Sequence, residues 1–296
     1  MSIRLTALTD PERTAGSHRL AWLATGPTGA PVGSAFLRLF TTGGQDHLAE
    51  LEIEVHPAER RTGVGSELLV AALAAARADG RRRVTAQAGT DTPGDGFLAA
   101  RGFRPVLTLT FARLGCADVD RAALAEAVRQ QPPGYRLVSW DGTVPEHLAA
   151  TFAASRRAMD DMPMDEADHG VVVWDVDRVR AVAEAVERRG ELLHTVAAVD
   201  ASDGAVVGFT ELVVPGDGRG DAQHYGTGVL PEHRGHGLAR WMKAESVRRA
   251  VERHPGLEGL LTDTAEGNRW MRAVNDGLGY LPTHRTRLYQ LDLRAP

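Results

Sequence analysis

One loop sequence occurs twice in this chain of 296 residues, and this repeat constrains the fold more than any other feature. The first copy spans residues 55–65 and the second spans residues 229–239. Matching residues stand 174 positions apart, so that Gly63, for example, matches Gly237. Each copy follows a strand-like run and precedes a helix-like run. The repeat therefore predicts two related domains, each built around a strand, a glycine turn and a helix.

The length and one proline-rich break support a two-domain reading. A chain of this size suits two domains of about 150 residues each. An amphipathic helix is predicted over residues 117–130, and the breaker Pro132-Pro133-Gly134 follows it. We therefore predict a first domain over residues 1–115, a linker helix over 116–133 and a second domain over 134–296.

The apolar pattern predicts an α/β (α+β) fold in each half. Residues 49–55 alternate strictly, which is typical of a strand, and helical spacing follows the first turn. The second half repeats this plan, but two extra helical stretches, about 145–159 and 176–189, precede its strands. We expect in each domain a mixed, mainly antiparallel twisted sheet flanked by helices.

Composition narrows the class of protein. The net charge of −5 gives no broad basic surface, so nucleic acid is not an expected partner. No apolar run reaches the roughly 20 residues that span a bilayer, and we expect a cytoplasmic protein without membrane contact. The one cysteine, Cys116, argues against a disulfide framework and against a cysteine metal cluster, and no metal is expected. Lys243 is the only lysine, which we interpret as compositional bias.

The repeated turn has the chemistry of a phosphate-binding loop. The start of a helix presents unpaired N–H groups and a partial positive charge, which suit an anion. Gly63 and Gly237 lack the Cβ that would block the close approach of an anion, and glycine permits a positive φ. The sequence therefore predicts two binding sites for a diphosphate group, one in each half.

The order of motifs resembles one enzyme family. A strand leads into an Arg-x-x-Gly-x-Gly/Ala turn and a helix, and a short helix later ends at Arg101-Gly102-Phe103 or Leu278-Gly279-Tyr280. This order resembles the Gcn5-related N-acetyltransferase (GNAT) family. The resemblance covers nearly the whole chain as a tandem pair, with a two-module layout like that of the mycothiol synthases. It implies two GNAT domains and acetyl-CoA as the acyl donor.

The resemblance also implies which residues hold coenzyme A. The pantetheine arm would pair with the end of the strand, and the pyrophosphate would lie on the turn. Asn268 matches a position at the start of the last helix that often touches coenzyme A in relatives. The residues implied are Val55, Arg60, Arg61, Thr62, Gly63, Val64 and Gly65 in the first half, and Val229, Leu230, Arg234, Gly235, His236, Gly237, Leu238 and Ala239 in the second.

Both halves depart from the family's catalytic pattern. Relatives often use a Glu before the turn as base and, as acid, a Tyr five residues before the final aromatic. The Tyr position is Leu98 in the first half and Asn275 in the second, and only Asn275 can donate a hydrogen bond to sulfur. The first half also lacks the substrate helices. We therefore predict that the first half is a scaffold that keeps a coenzyme A cleft, and that the second half catalyses.

Three further side chains are candidates for catalysis in the second half. Glu211 and His224 could act as the base, and Tyr225 could donate to sulfur. Each has a plainer interpretation, which stays open: a solvated Glu211, a hydrogen-bonded His224 within its strand, and a Tyr225 in the core.

The segment between the two extra helices is the candidate acceptor site. Asp160, Asp161 and Met162 lie there, and Trp174 follows. Acidic residues favour a cationic amine, and methionine gives an adaptable apolar wall. A solvated acidic loop is the alternative.

The leading functional hypothesis is an acetyl-CoA-dependent N-acetyltransferase. It would act on a small amine by direct attack in a ternary complex, as a monomer or homodimer. A catalytically silent acyl-CoA-binding or regulatory module is the second hypothesis, since the expected Tyr and Glu are missing. An aminoacyl-tRNA-dependent transferase is the third, and the acidic balance counts against it.

Overall fold

The strand that leads into the first turn shows how the sequence sets the fold. Side chains of a strand point alternately to its two faces. In the computed structural model Leu51 is buried, whereas Glu52 and Glu54 are exposed. One face of this strand therefore belongs to a core. The structure describes residues 3–8, 13–14, 16–160, 167–168, 170 and 172–294.

In chain order, five of the described strands precede the first helix, and helices and strands are interspersed after it. Among the described residues the strands are β1 (Arg4–Leu8), β2 (Arg13–Thr14), β3 (Ser17–Thr25), β4 (Pro31–Phe40), β5 (Leu48–Val55), β6 (Arg83–Gly89), β7 (Arg104–Gly115), β8 (Tyr135–Asp141), β9 (Glu191–Asp200), β10 (Val206–Pro215), β11 (Gly220–Val229), β12 (Leu257–Ala265) and β13 (Leu281–Asp292). The helices are α1 (Val64–Ala78), α2 (Pro93–Ala100), α3 (Arg121–Arg129), α4 (Glu146–Ser155), α5 (Val176–Arg188), α6 (Leu238–Arg253) and α7 (Arg269–Asp276). Within the part of the chain that is described, no helix is long and apolar enough to cross a membrane.

The chain divides into two compact units, which we call the first and second unit. The first unit comprises Met1–Thr108, Asp165–Val172 and Thr286–Pro296, and the second comprises Leu109–Met164 and Val173–Arg285. These bounds differ from the domains expected from the sequence, because each unit takes in residues from both halves of the repeat. The division at residues 115 and 133 stays a prediction about the repeat itself.

The first unit contains a sheet in the order β1-β3-β4-β5-β6-β13, with β2 beside β3. Its pairs are antiparallel except for the parallel pair β5–β6. The core that α1 and α2 form against this sheet includes Leu51, Leu69, Leu98 and Phe103.

The second unit contains a sheet in the order β7-β12-β11-β10-β9-β8, in which β11–β12 is the parallel pair. Leu212 of β10 lies in a core with α3 and α6, whereas Phe209 lies in a core with α4 and α5. Helices therefore cover both faces of this sheet. The predicted mixed, mainly antiparallel sheets flanked by helices are confirmed.

The last strand of each half completes the sheet of the other unit. Residues 109–115 of β7 pair with β12, and residues 286–292 of β13 pair with β6. The sequence predicted both strands, but not this exchange. Because the halves are repeats, their sheets offer equivalent edges, and the apolar pattern alone does not say which strand occupies which edge.

Helix α3, which the sequence placed in a linker, belongs to the core of the second unit. Leu124 and Ala127 are buried there. The backbone oxygen of Val128 accepts a hydrogen bond of 2.8 Å from the indole N–H of Trp241 in α6. The predicted linker helix therefore packs as part of the second unit.

Candidate active site

The two repeated turns have the same local construction. After β5 and β11 the chain makes a short 3-10 turn, at Pro57–Glu59 and Pro231–His233 respectively. Arg60 Nε then donates to the backbone oxygen of Val55 at 3.4 Å, and Arg234 Nε donates to that of Val229 at 3.0 Å. In each unit an arginine thus ties the loop back to the end of the strand.

A glycine in the left-handed region begins the helix after each turn. Gly63 has φ 99° and Gly237 has φ 75°, and each is the N-cap residue of its helix, α1 or α6. A Cβ built on either glycine would meet no atom within 4 Å. The space in front of both helix starts is therefore open, and the N–H groups and helix dipole there favour an anion. This geometry fits the diphosphate of coenzyme A.

The turns differ at one backbone position. Gly235 has φ 83°, whereas the matching residue of the first turn, Arg61, has φ 68° and is not glycine. A side chain in this region is uncommon and costs free energy. The first turn thus keeps the conformation of the second despite a residue that disfavours it.

Each turn lies beyond a point where two parallel strands part. The β5–β6 pairing ends at Leu51 and Ala86, although β5 continues to Val55. The β11–β12 pairing likewise ends at Gln223 and Leu261, while β11 runs on to Val229. We call these two places the strand splits. Backbone groups beyond a split are not used by the neighbouring parallel strand.

A large cleft in the first unit joins the turn to its split. Its volume is about 1270 Å³. Among the residues implied for coenzyme A, its lining includes Val55, Arg60, Arg61, Gly63 and Gly65. The other two face elsewhere: Val64 is buried in a core cluster, and the hydroxyl of Thr62 donates to the backbone oxygen of Glu59 at 2.6 Å.

The implied residues of the second turn divide by exposure. Gly235, His236 and Gly237 are exposed, as is Arg234. The side chains of Leu230 and Leu238 are buried in a core cluster, so these two residues offer a ligand backbone groups only. Val229 and Ala239 are half-buried.

Asn268 has a structural role at the start of α7. Its side-chain oxygen accepts a hydrogen bond of 3.1 Å from the backbone N–H of Met271, so it is the N-cap of this helix. The side chain thus satisfies one backbone donor of the helix start.

A β-bulge lies at the split of the second unit. In the β10–β11 register Glu211 pairs with Gly226 and Leu212 pairs with His224, which leaves Tyr225 as the extra residue. The corresponding β4–β5 register of the first unit runs from Gly33 to Leu39 without a shift. A bulge takes one residue out of the regular ladder and redirects its backbone. Of the two splits, the second therefore has the irregular backbone.

Glu211 is a buried, paired carboxylate and not a solvated one. Arg156 Nη1 donates to one of its oxygens at 2.8 Å, and Arg156 Nη2 donates to the other. Both residues are about 95% buried. The rings of Phe152, Phe209 and Trp174 surround the guanidinium. This pairing favours the ionised form of Glu211 and makes it a poor proton acceptor while Arg156 is bound to it.

His224 and Asn275 lie in a buried polar cluster of the second unit. His224 Nε2 is 2.8 Å from the hydroxyl oxygen of Tyr280. Lys243 Nζ donates to the side-chain oxygen of Asn275 and, at 3.1 Å, to the hydroxyl of Thr262. Burial, together with the charge of Lys243, holds the pKa of His224 well below its ordinary value. His224 is therefore neutral and inaccessible to solvent.

The candidate catalytic side chains do not face one common cleft. His224 is opposite Leu212, on the face that α6 covers. Glu211, the neighbour of Leu212 along the strand, points to the other face, which α4 and α5 cover. Tyr225 is 48% exposed, and its hydroxyl accepts a hydrogen bond of 2.8 Å from Arg189. Glu211 and His224 therefore lie on opposite faces of the sheet.

Two of the four predicted acceptor residues, Asp160 and Trp174, lie among the described residues. Asp160 is exposed and follows a short 3-10 turn, Arg156–Met159. The ring of Trp174 lies 4.7 Å from the Arg156 guanidinium, so this tryptophan helps to enclose the buried ion pair. Asp161 and Met162 lie outside the described residues. Among the described residues no three His, Cys, Asp or Glu side chains group as a metal site.

Sequence reasoning missed Arg156 and Lys243. The Arg156–Glu211 pair joins residues that are 55 positions apart, and no short motif marks it. Lys243 had a signal, because it is the only lysine in the chain. The presence of a single lysine was attributed to compositional bias, but Lys243 is completely buried.

Fold, glycine-capped helix starts and split parallel strands define a class of protein that binds an acyl carrier. The chain belongs to the acetyltransferase (GNAT) family, whose sequence profile matches residues 5–103 and again residues 156–280. Members of this family use acetyl-CoA and an acceptor substrate. No curated protein sequence matches the chain.

Solved structures support the tandem arrangement. The chain is similar to a tandem GNAT protein from the clavulanic acid biosynthesis pathway, with 25% identity and a TM-score of 0.77 over 96% of this chain and 86% of that one. It also resembles a GCN5-related N-acetyltransferase from Sphaerobacter thermophilus, with 17% identity and a TM-score of 0.64 over 93% and 81%. The second likeness concerns the fold alone.

Proposed function

We propose that this protein is an acetyl-CoA-dependent N-acetyltransferase whose second unit transfers the acyl group to a small, cationic amine. One observation carries the proposal. Both units have an open, glycine-capped helix start beyond a strand split, and the bulge at Tyr225 occurs in the second. The first unit, with its large cleft, would hold acetyl-CoA without catalysing.

The residues present fit the acyl carrier. The helix start at Gly237, tied back by Arg234, would hold the diphosphate, and Val229 would offer backbone groups to the pantetheine arm. When bound, acetyl-CoA would supply an activated thioester, whose C–S bond breaks as the amine nitrogen bonds to the acyl carbon, with one proton passing overall from nitrogen to sulfur. A backbone N–H at the bulge would polarise the acyl carbonyl, as preorganised donors do in acyl transfer.

The side chains at the split would support the reaction from two faces. Asn275 could offer an N–H to the sulfur, and Tyr225 lies at the bulge itself. The ion pair of Glu211 and Arg156 would place charged groups near the acceptor. Glu211 would act as a base only after its separation from Arg156. Asp160, exposed at the end of the 3-10 turn, favours a cationic acceptor.

A matched pair of substitutions tests which unit works. Asn and Asp have the same shape and both tolerate a positive φ, so Gly237→Asp differs from Gly237→Asn mainly in charge. We expect Gly237→Asp to lose thiol release from acetyl-CoA by about a hundredfold, because a carboxylate opposes the diphosphate, while Gly237→Asn keeps most of it. Gly63→Asp should remove one acetyl-CoA binding event in calorimetry and leave turnover within a few-fold.

The opposite pattern would contradict the assignment. Loss of turnover in Gly63→Asp, with Gly63→Asn active, would place the reaction in the first unit. Unchanged affinity in all four variants would show that the helix starts do not hold the carrier.

A catalytically silent acyl-CoA-binding module remains the second candidate. One observation favours it: Glu211, His224 and Asn275 are buried and already hydrogen-bonded. Acetyl-CoA that binds tightly but releases no thiol with any of a panel of amines would support this function over the first.

A further inference from the structure

The one lysine of this chain occupies a fully buried position. Lys243 in α6 is 1% exposed, although each of the other basic residues among the 34 Lys and Arg is arginine. Arginine keeps its charge under all ordinary conditions, whereas a buried lysine can become neutral. The chain thus places its single lysine in the interior of the second unit.

No carboxylate among the described residues lies within ion-pair distance of Lys243 Nζ. Its partners are the oxygens of Thr262 and Asn275, and the ring of Tyr280 lies 4.7 Å away. Burial lowers the pKa of Lys243 from 10.5 to about 7, against the opposing effect of Asp263. An ammonium group with neutral partners only is costly to bury, so its retention calls for a reason beyond packing.

Lys243 lies where the two parallel strands part. The last β11–β12 pair is Gln223 with Leu261. His224 and Thr262 are the next residues on the two strands, and Thr262 bonds directly to Lys243. The buried polar cluster of His224, Lys243, Asn275 and Tyr280 is therefore built on the split of the second unit.

The first unit shows that the fold does not require polar groups at these positions. Leu69 matches Lys243 in the helix after the turn, and Leu98 matches Asn275 in the helix before the final aromatic. Leu51, opposite Leu37, matches His224, opposite Leu212. The fourth pair is Phe103 and Tyr280. The four residues of the first unit belong to one apolar core cluster. Packing alone is thus achieved with leucine and phenylalanine.

The contacts of Asn275 show what Lys243 achieves. Lys243 donates to the amide oxygen, and Asn275 Nδ2 donates to the hydroxyl of Thr264 at 3.0 Å. An asparagine amide carries two N–H donors, so one remains after the bond to Thr264. The bond from Lys243 thus holds the amide oxygen towards α6, and the bond to Thr264 holds the amide nitrogen on the opposite side.

We propose that Lys243 is a positioning residue of the acyl-transfer site: it fixes the amide of Asn275 at the strand split so that the second N–H of that amide faces the bound acyl carrier. This inference rests on the proposed function of the second unit. Lys243 itself touches neither the carrier nor the acceptor. Loss of Lys243 would leave the Asn275 amide present but without a fixed orientation.

The test replaces Lys243 with methionine, which keeps a linear side chain without donors. The matched control is Leu69→Met, which introduces the same residue at the matching position of the first unit. We expect Lys243→Met to lower kcat by about tenfold to a hundredfold, as misplaced groups do, with the KM for acetyl-CoA within about twofold. Near pH 7 the melting temperature should change little, because the loss of two hydrogen bonds is offset by the removal of an amine that is costly to bury in its charged form. Leu69→Met should leave kcat unchanged.

A second measurement does not depend on turnover. In a Gly63→Asp background, the side-chain amide signals of Asn275 should shift in ¹H–¹⁵N spectra when coenzyme A is added, and Lys243→Met should abolish this shift. Unchanged kcat and an unchanged shift in a folded Lys243→Met protein would overturn the inference and leave the proposed function standing. If the unmodified protein released no thiol with any amine, the proposed function itself would fail, and the inference with it.

Discussion

The two units share one arrangement of strand split, turn and helix, but they differ in the residues at the split. Both place a glycine-capped helix beyond a strand split, and both tie the loop back with an arginine. At the split, however, the first unit has a regular ladder and an apolar core, whereas the second has a bulge and buried polar groups. Under the proposed function, the part that both units share would hold the carrier. The part found in the second unit alone would support the acyl transfer.

The substrate-side helices extend this contrast. In the second unit α4 and α5 cover the sheet face that carries Glu211, and Arg156 pairs with Glu211 beneath them. In the first unit the residue that matches Glu211 is Phe36 of β4, and Glu52, opposite it on β5, is exposed. Burial of a carboxylate costs desolvation free energy even when the group is paired, whereas a solvated carboxylate carries no such cost.

The largest expected effect comes from breaking the ion pair that the second unit alone possesses. Arg156→Met leaves Glu211 buried without a partner, and we expect the free energy of unfolding to fall by about 3–5 kcal/mol. Urea denaturation measures this. Arg156→Met combined with Glu211→Leu should recover most of the loss. A cost below about 1 kcal/mol for Arg156→Met alone would mean that water reaches Glu211 and that the contrast between the faces is weaker than the burial indicates.

The next effect sharpens the contrast between Lys243 and Leu69. The pKa of Lys243 is about 7 when folded and 10.5 in its ordinary state, so between these values the unfolded chain binds more protons. Stability therefore rises with pH in this window, by about 1.4 kcal/mol per unit. Relative to Lys243→Met, the unmodified protein should gain about 2 kcal/mol between about pH 8 and about pH 9.5.

The other titratable groups that face Lys243 do not interfere in this window. His224 titrates below it, because its pKa is lowered, and Tyr280 titrates above it, because its pKa is raised. Burial raises the pKa of Asp263, whose charge opposes the effect of burial on Lys243. Urea denaturation of both proteins at the two pH values provides the measurement, with Leu69→Met as the variant that should show no such difference. An equal pH dependence in the two proteins would mean that Lys243 stays charged.

The smallest effect concerns the turns themselves. Arg61 adopts φ 68° where the second turn has Gly235. Arg61→Gly should relieve about 1–2 kcal/mol of backbone cost, partly offset by the greater freedom of glycine when unfolded, for a net gain of about 1 kcal/mol or less. Gly235→Ala should lose about as much. Thermal unfolding of the two variants gives the comparison, and a loss of stability in Arg61→Gly would show that the arginine side chain stabilises its turn.

The local pattern of this sequence predicted most elements, because periodicity and turn residues are local signals. Helix α1 begins at Val64, directly after the glycine turn, as expected. Strand β8, by contrast, had no prediction, and its place beside β9 depends on tertiary pairing. The family and the tandem arrangement were also predicted, since the repeated turn is specific when it stands between a strand and a helix.

The side-chain environment of the site could not be predicted in the same way. Glu211 and His224 were selected by residue type and strand position, yet the bulge and the pairing decide which face each occupies. The partner of Glu211 lies 55 residues away in sequence, and the partner of His224 lies 56 residues away. Such pairs depend on the packing of helices whose mutual positions the sequence pattern does not specify.

The exchange of the two final strands has a consequence for any attempt to produce the halves separately. A cut between residues 115 and 116 would remove residues 286–292 from the sheet of the first unit and residues 109–115 from the sheet of the second. Each half would then expose an unpaired strand edge, which invites aggregation. The two halves of the repeat should therefore fold well only when they are made as one chain.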